Sequence, residues 1–85
     1  MNRKKLLSRL LQGAVQNVAF SDLINLAHGF GFYEKRIRGS HHVLAHPKIA
    51  DILNLQEVGG KGKAYQIRQF LDLVKEYNLK LEARP

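Results

Sequence analysis

The chain has 85 residues, no cysteine and a formal net charge of +7, with 14 Lys and Arg against 7 Asp and Glu. This length predicts one compact domain over residues 1–85, and the lack of cysteine excludes disulfides and thiolate metal sites. The charge favours a polyanionic partner such as nucleic acid, although it fits a merely basic domain equally well. No stretch approaches the about 20 apolar residues of a membrane span. No signal-peptide pattern follows the basic N-terminus either, so we expect a cytoplasmic protein that contacts no membrane.

Two helices are predicted in the first third of the chain. Four leucines recur on one face of a helix over residues 3–12, and Gly13 ends it. The second helix begins at Ser21, a favourable N-cap residue, with Asp22 in the first turn where a negative charge is stabilising. Gly29 ends this second helix.

The middle of the chain predicts short strands. Residues 32–38 and 41–45 are two strands joined by a tight turn at Gly39-Ser40. The next segment is ambiguous, because residues 48–52 also fit a turn of helix. In that case residues 53–56 alone form the third strand.

The last helix has the clearest pattern. It follows a glycine-rich loop over residues 58–63, and apolar residues recur at i, i+3, i+4 and i+7 from Ile67 to Val74. Asn78 is expected to end it. The order helix, helix, three strands, helix predicts an α+β fold with the helices on one face of a small three-stranded antiparallel sheet.

Two stretches are basic and contain no acid. Residues 35–48 hold four Lys or Arg and three His, and residues 58–71 hold two Lys and one Arg. If the strands pair and the last helix lies across them, both stretches form one positive surface that binds phosphate. Each stretch alone fits a solvated surface, but the two together favour a polyanion site.

The segment Gly59-Gly60-Lys61-Gly62-Lys63 leads directly into the last helix. Glycines allow close approach to an anion, and a helix N-terminus offers free N–H groups to phosphate. The Gly-Lys-Ser/Thr order of a nucleotide-binding loop is missing, so nucleotide hydrolysis is not expected. A flexible loop explains these glycines equally well.

The histidines suit acid–base chemistry better than metal binding. On a strand, His42 and His46 lie roughly 13 Å apart on one face and His41 points to the other, so one ion cannot collect all three. We therefore expect no metal. Histidine takes and gives protons near neutrality, and removal of a ribose 2′ proton lets that oxygen attack the adjacent phosphate without a metal. The alternative is that His41 or His42 only forms a hydrogen bond in a turn.

The segment Gly39-Ser40-His41-His42, followed by His46-Pro47, resembles the HicA family of toxin–antitoxin ribonucleases. The similarity spans roughly residues 4–80 and also includes Gly31-Phe32, residues 53–56 and residues 60–69. The resemblance implies a fold like the double-stranded RNA-binding domain, cleavage of messenger RNA, growth inhibition, and neutralisation by a HicB-type antitoxin protein.

The same resemblance assigns the catalytic residue. The catalytic histidine of the family follows a Gly-Ser pair and corresponds to His41, with His42 as the alternative because the doubled histidine permits a one-residue shift. The helix over residues 3–12 is additional to a family core that here covers residues 17–82. Many relatives carry Val-Pro-x-His after the third strand, whereas residues 55–59 of this chain contain neither Pro nor His.

Two functions therefore remain open. The first is a metal-independent endoribonuclease toxin that needs no cofactor, with His41 or His42 as base or acid. The second is a non-catalytic RNA-binding module that recognises RNA by shape. Among the predicted contacts the Lys and Arg side chains hold phosphates and Tyr65 stacks on a base. The predicted RNA contacts are Lys35, Arg36, Arg38, Ser40, Lys61, Lys63, Tyr65 and Arg68.

Overall fold

The computed structural model describes residues 1–82 of the chain. Its elements are α1 (Arg3–Leu11), α2 (Phe20–Gly29), β1 (Tyr33–Arg38), β2 (His41–His46), β3 (Ile49–Val58), β4 (Lys61–Gly62) and α3 (Ala64–Glu76). The strands form one open antiparallel sheet in the order β1-β2-β3-β4. The protein is thus a small α+β fold, as the sequence predicts. Of the predicted domain, residues 83–85 lie outside the described part.

The N-terminal helices begin in different ways. The Asn2 side chain caps α1 by accepting a hydrogen bond of 2.8 Å from the N–H of Lys5. The N-cap predicted at Ser21 is wrong, because α2 begins at Phe20 and no side chain caps it. The N–H of Phe20 instead donates to the carbonyl of Gly60 at 2.9 Å, so a contact with a distant loop determines where α2 starts.

The third strand is longer than predicted. β3 is continuous over Ile49–Val58, so the helical turn considered for residues 48–52 is wrong. Ile49, Ile52 and Leu53 have the i, i+3, i+4 spacing of a helix. However, Ile49 and Leu53 contact the core, whereas Ile52 is exposed on the other side of the sheet. Alternation across the pleat accounts for this pattern.

The predicted three-stranded sheet has a fourth strand, β4, inside the segment predicted as a loop. Gly59 and Gly60 have φ of 57° and 77°. A two-residue hairpin turn of type I′ needs positive φ at both central residues, and glycine adopts it without strain. The turn lets Lys61 pair with Val58 across the hairpin.

The two faces of the sheet differ. Leu44, Leu53 and Leu55 are almost fully buried and join the hydrophobic core, so the helices cover this face, called here the covered face. Cross-strand partners share a face, and the register therefore assigns the remaining positions to the other side. The open face includes Arg36, Arg38, His41, Val43, Ile52, Asn54, Gln56, Val58 and Lys61, with the Tyr33–Ala45 pair at its far end.

One hydrophobic core joins all three helices to the covered face. The ring of Phe70 lies edge-on to Phe30 and Phe32, with centroids 5.8 and 5.9 Å away. Leu6 and Leu10 of α1 are each 1% exposed and belong to the same cluster, so α1 contributes to the core. Between residues 1 and 82 no helix combines the length and the apolar character needed to cross a membrane.

Candidate functional site

The structure separates the two adjacent histidines. His41 is exposed on the open face, where its cross-strand neighbours are Arg38 and Gln56. His42 lies on the covered face between Ile37 and Leu55, with 16% of its side chain exposed. Only His41 is therefore presented to a ligand on the open face.

His42 is held by specific contacts. Its Nδ1 lies 2.8 Å from Oε2 of Glu34, and its ring packs on Phe20 with the centroids 4.8 Å apart. The other oxygen of Glu34 is 3.6 Å from Nε2 of His28 on α2. These contacts join β1, β2 and α2, so His42 holds the strand that carries His41 in position.

His46 has a structural role. It is 8% exposed, its Nε2 bonds to the carbonyl of Phe30 at 2.9 Å, and the N–H of Lys48 donates to its Nδ1 at 3.1 Å. Only the neutral ring with its proton on Nε2 makes both hydrogen bonds. Its ring also lies edge-on to Phe32, with centroids 5.1 Å apart. His46 thereby fixes the turn between β2 and β3.

The open face is basic. Arg36 and Arg38 alternate along β1 beside His41, and Lys61 lies on the same face in β4. Among the strand residues that the structure describes, the register assigns no Asp or Glu to this face. Lys35 borders the same face at an irregularity in β1. A negatively charged ligand here therefore meets several cations and, from the described strands, no carboxylate.

A chain of polar contacts joins the β1–β2 turn to the start of α3. Nε2 of Gln56 lies 3.5 Å from Oγ of Ser40, and the Gln56 N–H donates to Oε1 of Gln66 at 2.7 Å. Nε2 of Gln66 is in turn 3.4 Å from the hydroxyl of Tyr65. The Nζ atom of Lys63 lies 5.8 Å from the Tyr65 ring centroid. The predicted contacts Ser40, Tyr65 and Lys63 thus belong to one connected region.

The last predicted contact, Arg68, lies at the border of this region. Tyr65 is 53% exposed, and Arg68 is exposed about one turn further along α3. Arg68 therefore borders the region on the helix surface and does not lie on the sheet.

Sequence reasoning missed Gln56 and Gln66 as site residues. Gln66 is only 7% exposed. It stands four residues before the buried Phe70, so it falls within the apolar stripe of α3. A polar residue at such a position is a detectable signal, because buried polar groups need hydrogen-bond partners.

The glycine-rich segment has a structural use. The N–H of Gly62 donates to the carbonyl of Val18 at 3.0 Å. A Cβ at Gly62 would lie 2.6 Å from Cδ2 of Leu23, so a side chain does not fit there. This part of the segment holds α2 against β4 and does not offer its N–H to an anion.

Within residues 1–82 no group of three or more His, Asp or Glu side chains is arranged to hold a metal ion. Comparison with protein-family models, with curated protein sequences and with solved structures gives no match to this chain.

Proposed function

We propose that this chain is an RNA-cleaving toxin of the HicA type, a metal-independent endoribonuclease in which His41 is the catalytic base. One observation carries the proposal. His41 is an exposed imidazole on a sheet face where the strands, within residues 1–82, supply Arg36, Arg38 and Lys61 and no carboxylate. The helices on one face of an antiparallel sheet also support a fold like the double-stranded RNA-binding domain.

The chemistry follows from this arrangement. His41 accepts the proton of a ribose 2′-hydroxyl, and the 2′ oxygen attacks the neighbouring phosphorus. The bond from phosphorus to the 5′ oxygen breaks, which leaves a 2′,3′-cyclic phosphate. The 5′ oxygen takes up a proton from water, and His41 releases its proton to solvent. The charge on the phosphoryl oxygens increases in the transition state. Arg36 and Arg38 stabilise this negative charge, because cations that are already in place interact most strongly where charge develops.

His42 is assigned a positioning role. Its hydrogen bond to Glu34 and its contact with Phe20 direct its ring toward the covered face. A ligand on the open face therefore does not reach it. This geometry supports His41 over His42 as the catalytic residue.

A protein partner is part of the proposal. A ribonuclease active in its own cytoplasm has to be held inactive, and an acidic or site-filling antitoxin of the HicB type is suited to block a cationic face. An adjacent reading frame whose product relieves growth arrest supports this partner. Failure of that product to relieve growth arrest on co-expression contradicts it.

The test is RNA cleavage in the presence of a chelator. Wild type, His41→Ala, His42→Ala and the control Gln12→Ala are compared, since Gln12 is an exposed residue at the end of α1, outside the contacts that hold His42. We expect wild type and Gln12→Ala to release fragments that end in a cyclic phosphate, and His41→Ala to release none. Loss of cleavage in His42→Ala alone contradicts the assignment of His41. No cleavage by folded wild type contradicts the enzyme.

The second candidate is a non-catalytic RNA-binding module of the same fold. It is favoured by the composition of the open face, where, among the described strand residues, His41 is the one histidine that the register places. The leaving oxygen then lacks a clear proton donor among the strands. Binding of RNA without cleavage supports this candidate.

A further inference from the structure

A depression of about 380 Å³ lies on the open face beside His41, lined by Lys35, Arg36, Val43, Ile52 and Asn54. Val43 is two residues along β2 from His41, and Arg36 and Asn54 are its cross-strand partners. Positions two residues apart on a strand are separated by about 7 Å. A group bound in the depression is therefore adjacent to a group bound at His41.

The lining combines three kinds of side chain. Val43 and Ile52 supply an apolar floor, and Ile52 is 42% exposed although it is a large apolar residue. Lys35 and Arg36 supply cations, and a guanidinium also stacks on flat π systems. Asn54 supplies an amide that both donates and accepts hydrogen bonds. A phosphate needs the cations alone, whereas a nucleobase uses all three.

We propose that this depression is a nucleobase subsite next to the cleaved bond, with Asn54 as the residue that determines base preference. The proposal rests on the proposed function, because it takes RNA as the ligand at His41. The amide of Asn54 can pair with a base edge through two hydrogen bonds, which is the geometry by which asparagine reads adenine. The apolar floor contacts the face of the same base.

The occupant is an unpaired segment of RNA. In an A-form duplex the base faces are stacked and the major groove is too deep and narrow for side chains to read. A duplex therefore meets the cations of the open face but cannot place a base on Val43 and Ile52. In the described part of the chain the strands place cations and no carboxylate on this face, which favours a polyanion over a protein surface of mixed charge.

The test uses the non-cleaving variant His41→Ala. Its affinity is measured for four single-stranded hexaribonucleotides that differ at one central base, and for one of them as a duplex. Asn54→Ala is then added to this background, with Gln12→Ala as the control, because Gln12 is an exposed amide at the end of α1, a helix that packs on α2 and the core. We expect one hexamer to bind roughly ten-fold more tightly than the others, and Asn54→Ala to remove this preference. Gln12→Ala retains the preference, and the duplex binds more weakly than that hexamer.

A second measurement follows the side-chain amide signal of Asn54 by NMR. The signal is expected to shift with the preferred hexamer but not with inorganic polyphosphate, which carries charge without bases. Equal affinity for all four hexamers, or an unmoved Asn54 signal, overturns the subsite even where wild type cleaves RNA. A base preference that Asn54→Ala removes, in a protein whose wild type never cleaves, supports the subsite and contradicts the enzyme. If no hexamer binds, both the nucleobase subsite and RNA as the ligand of the open face are contradicted.

Discussion

His41 and His42 are neighbours in the chain, yet the two faces of β2 give them different surroundings. His41 shares the open face with Arg38 and Gln56, whereas His42 contacts Glu34 and Phe20 beside the core. Residue type alone therefore does not identify a catalytic histidine. The face of the strand decides whether an imidazole meets a ligand or supports the fold.

The largest expected effect separates the two histidines. His41→Ala removes the proposed base, and general base catalysis contributes about 10²–10⁴-fold, so the cleavage rate falls by that factor. The free energy of unfolding stays within about 0.5 kcal/mol of wild type, because His41 is exposed. Rate assays and urea unfolding measure the two quantities. A large loss of stability in His41→Ala contradicts the separation of the faces.

Val43 and Leu44, the next residues along β2, also lie on opposite faces and differ in burial. Leu44 is fully buried on the covered face, so Leu44→Ala is expected to lower the free energy of unfolding by about 2–5 kcal/mol. Val43→Ala, on the open face, lowers it by less because the side chain is only half-buried. Urea unfolding of both variants tests this order. If both variants lose the same free energy of unfolding, the side chain of Val43 is covered in solution as fully as that of Leu44.

Gln66 links the covered core to the open face. Gln66→Leu leaves the N–H of Gln56 without its acceptor, and such a loss costs about 1–3 kcal/mol in unfolding free energy. Gln66→Glu keeps an oxygen at the same place and is expected to recover part of the loss. Thermal or urea unfolding of the pair measures it. Equal stability of both variants with wild type shows that this hydrogen bond does not hold α3 to β3.

A smaller effect tests the charge of the open face. Arg36→Gln and Arg38→Gln are each expected to reduce the slope of log affinity against log salt by about 0.7 for single-stranded RNA, the value for one phosphate contact. Lys4→Gln changes a cation on α1 and is the control, with no change of slope expected. Binding titrations at several salt concentrations provide the slopes. An equal reduction in all three variants indicates attraction by net charge without a specific face.

Much of this fold follows from local pattern. Periodic leucines predict α1, the apolar stripe from Ile67 predicts α3, and the glycine at position 39 predicts the turn between β1 and β2. The predictions fail where a distant contact overrides the local pattern, or where one segment fits both the helical and the strand period. Ser21 is a good cap by type, but the Phe20 N–H finds its partner in the β3–β4 turn. The segment from Ile49 fits a helix and a strand alike until pairing with β2 selects the strand.

The candidate site was predictable in part. Alternation along β2 gives His42 the same face as Leu44, so a reader who assigns Leu44 to the core can already place His41 outside. The role of Gln66 was not predictable, because its acceptor oxygen pairs with a backbone N–H ten residues earlier, on another element. The role of Glu34 likewise depends on the cross-strand distance to His42. Sequence patterns predict which face of a helix or strand a residue occupies. Its hydrogen-bond partner depends on tertiary packing.

The smallest effect concerns the end of α3 far from Gln66. The hydroxyl of Tyr77 donates a hydrogen bond of 2.6 Å to Asp51, and this bond, aided by partial burial and nearby negative charge, raises the pKa of Tyr77 from 10.0 to about 12. Because the folded pKa is raised, the contribution to stability is fully present below pH 10.0 and is lost as the pH rises through about 12.

Asp51→Asn removes the negative partner and is expected to return the pKa of Tyr77 toward its ordinary value. Ultraviolet titration measures it in a background with the other two tyrosines replaced by Phe. Cleavage by Asp51→Asn is expected to match wild type, because this contact lies at the opposite end of β3 from Gln56. A change in cleavage with an unchanged pKa indicates instead that Asp51 acts on the RNA, which contradicts the proposed division between a catalytic open face and a structural covered face.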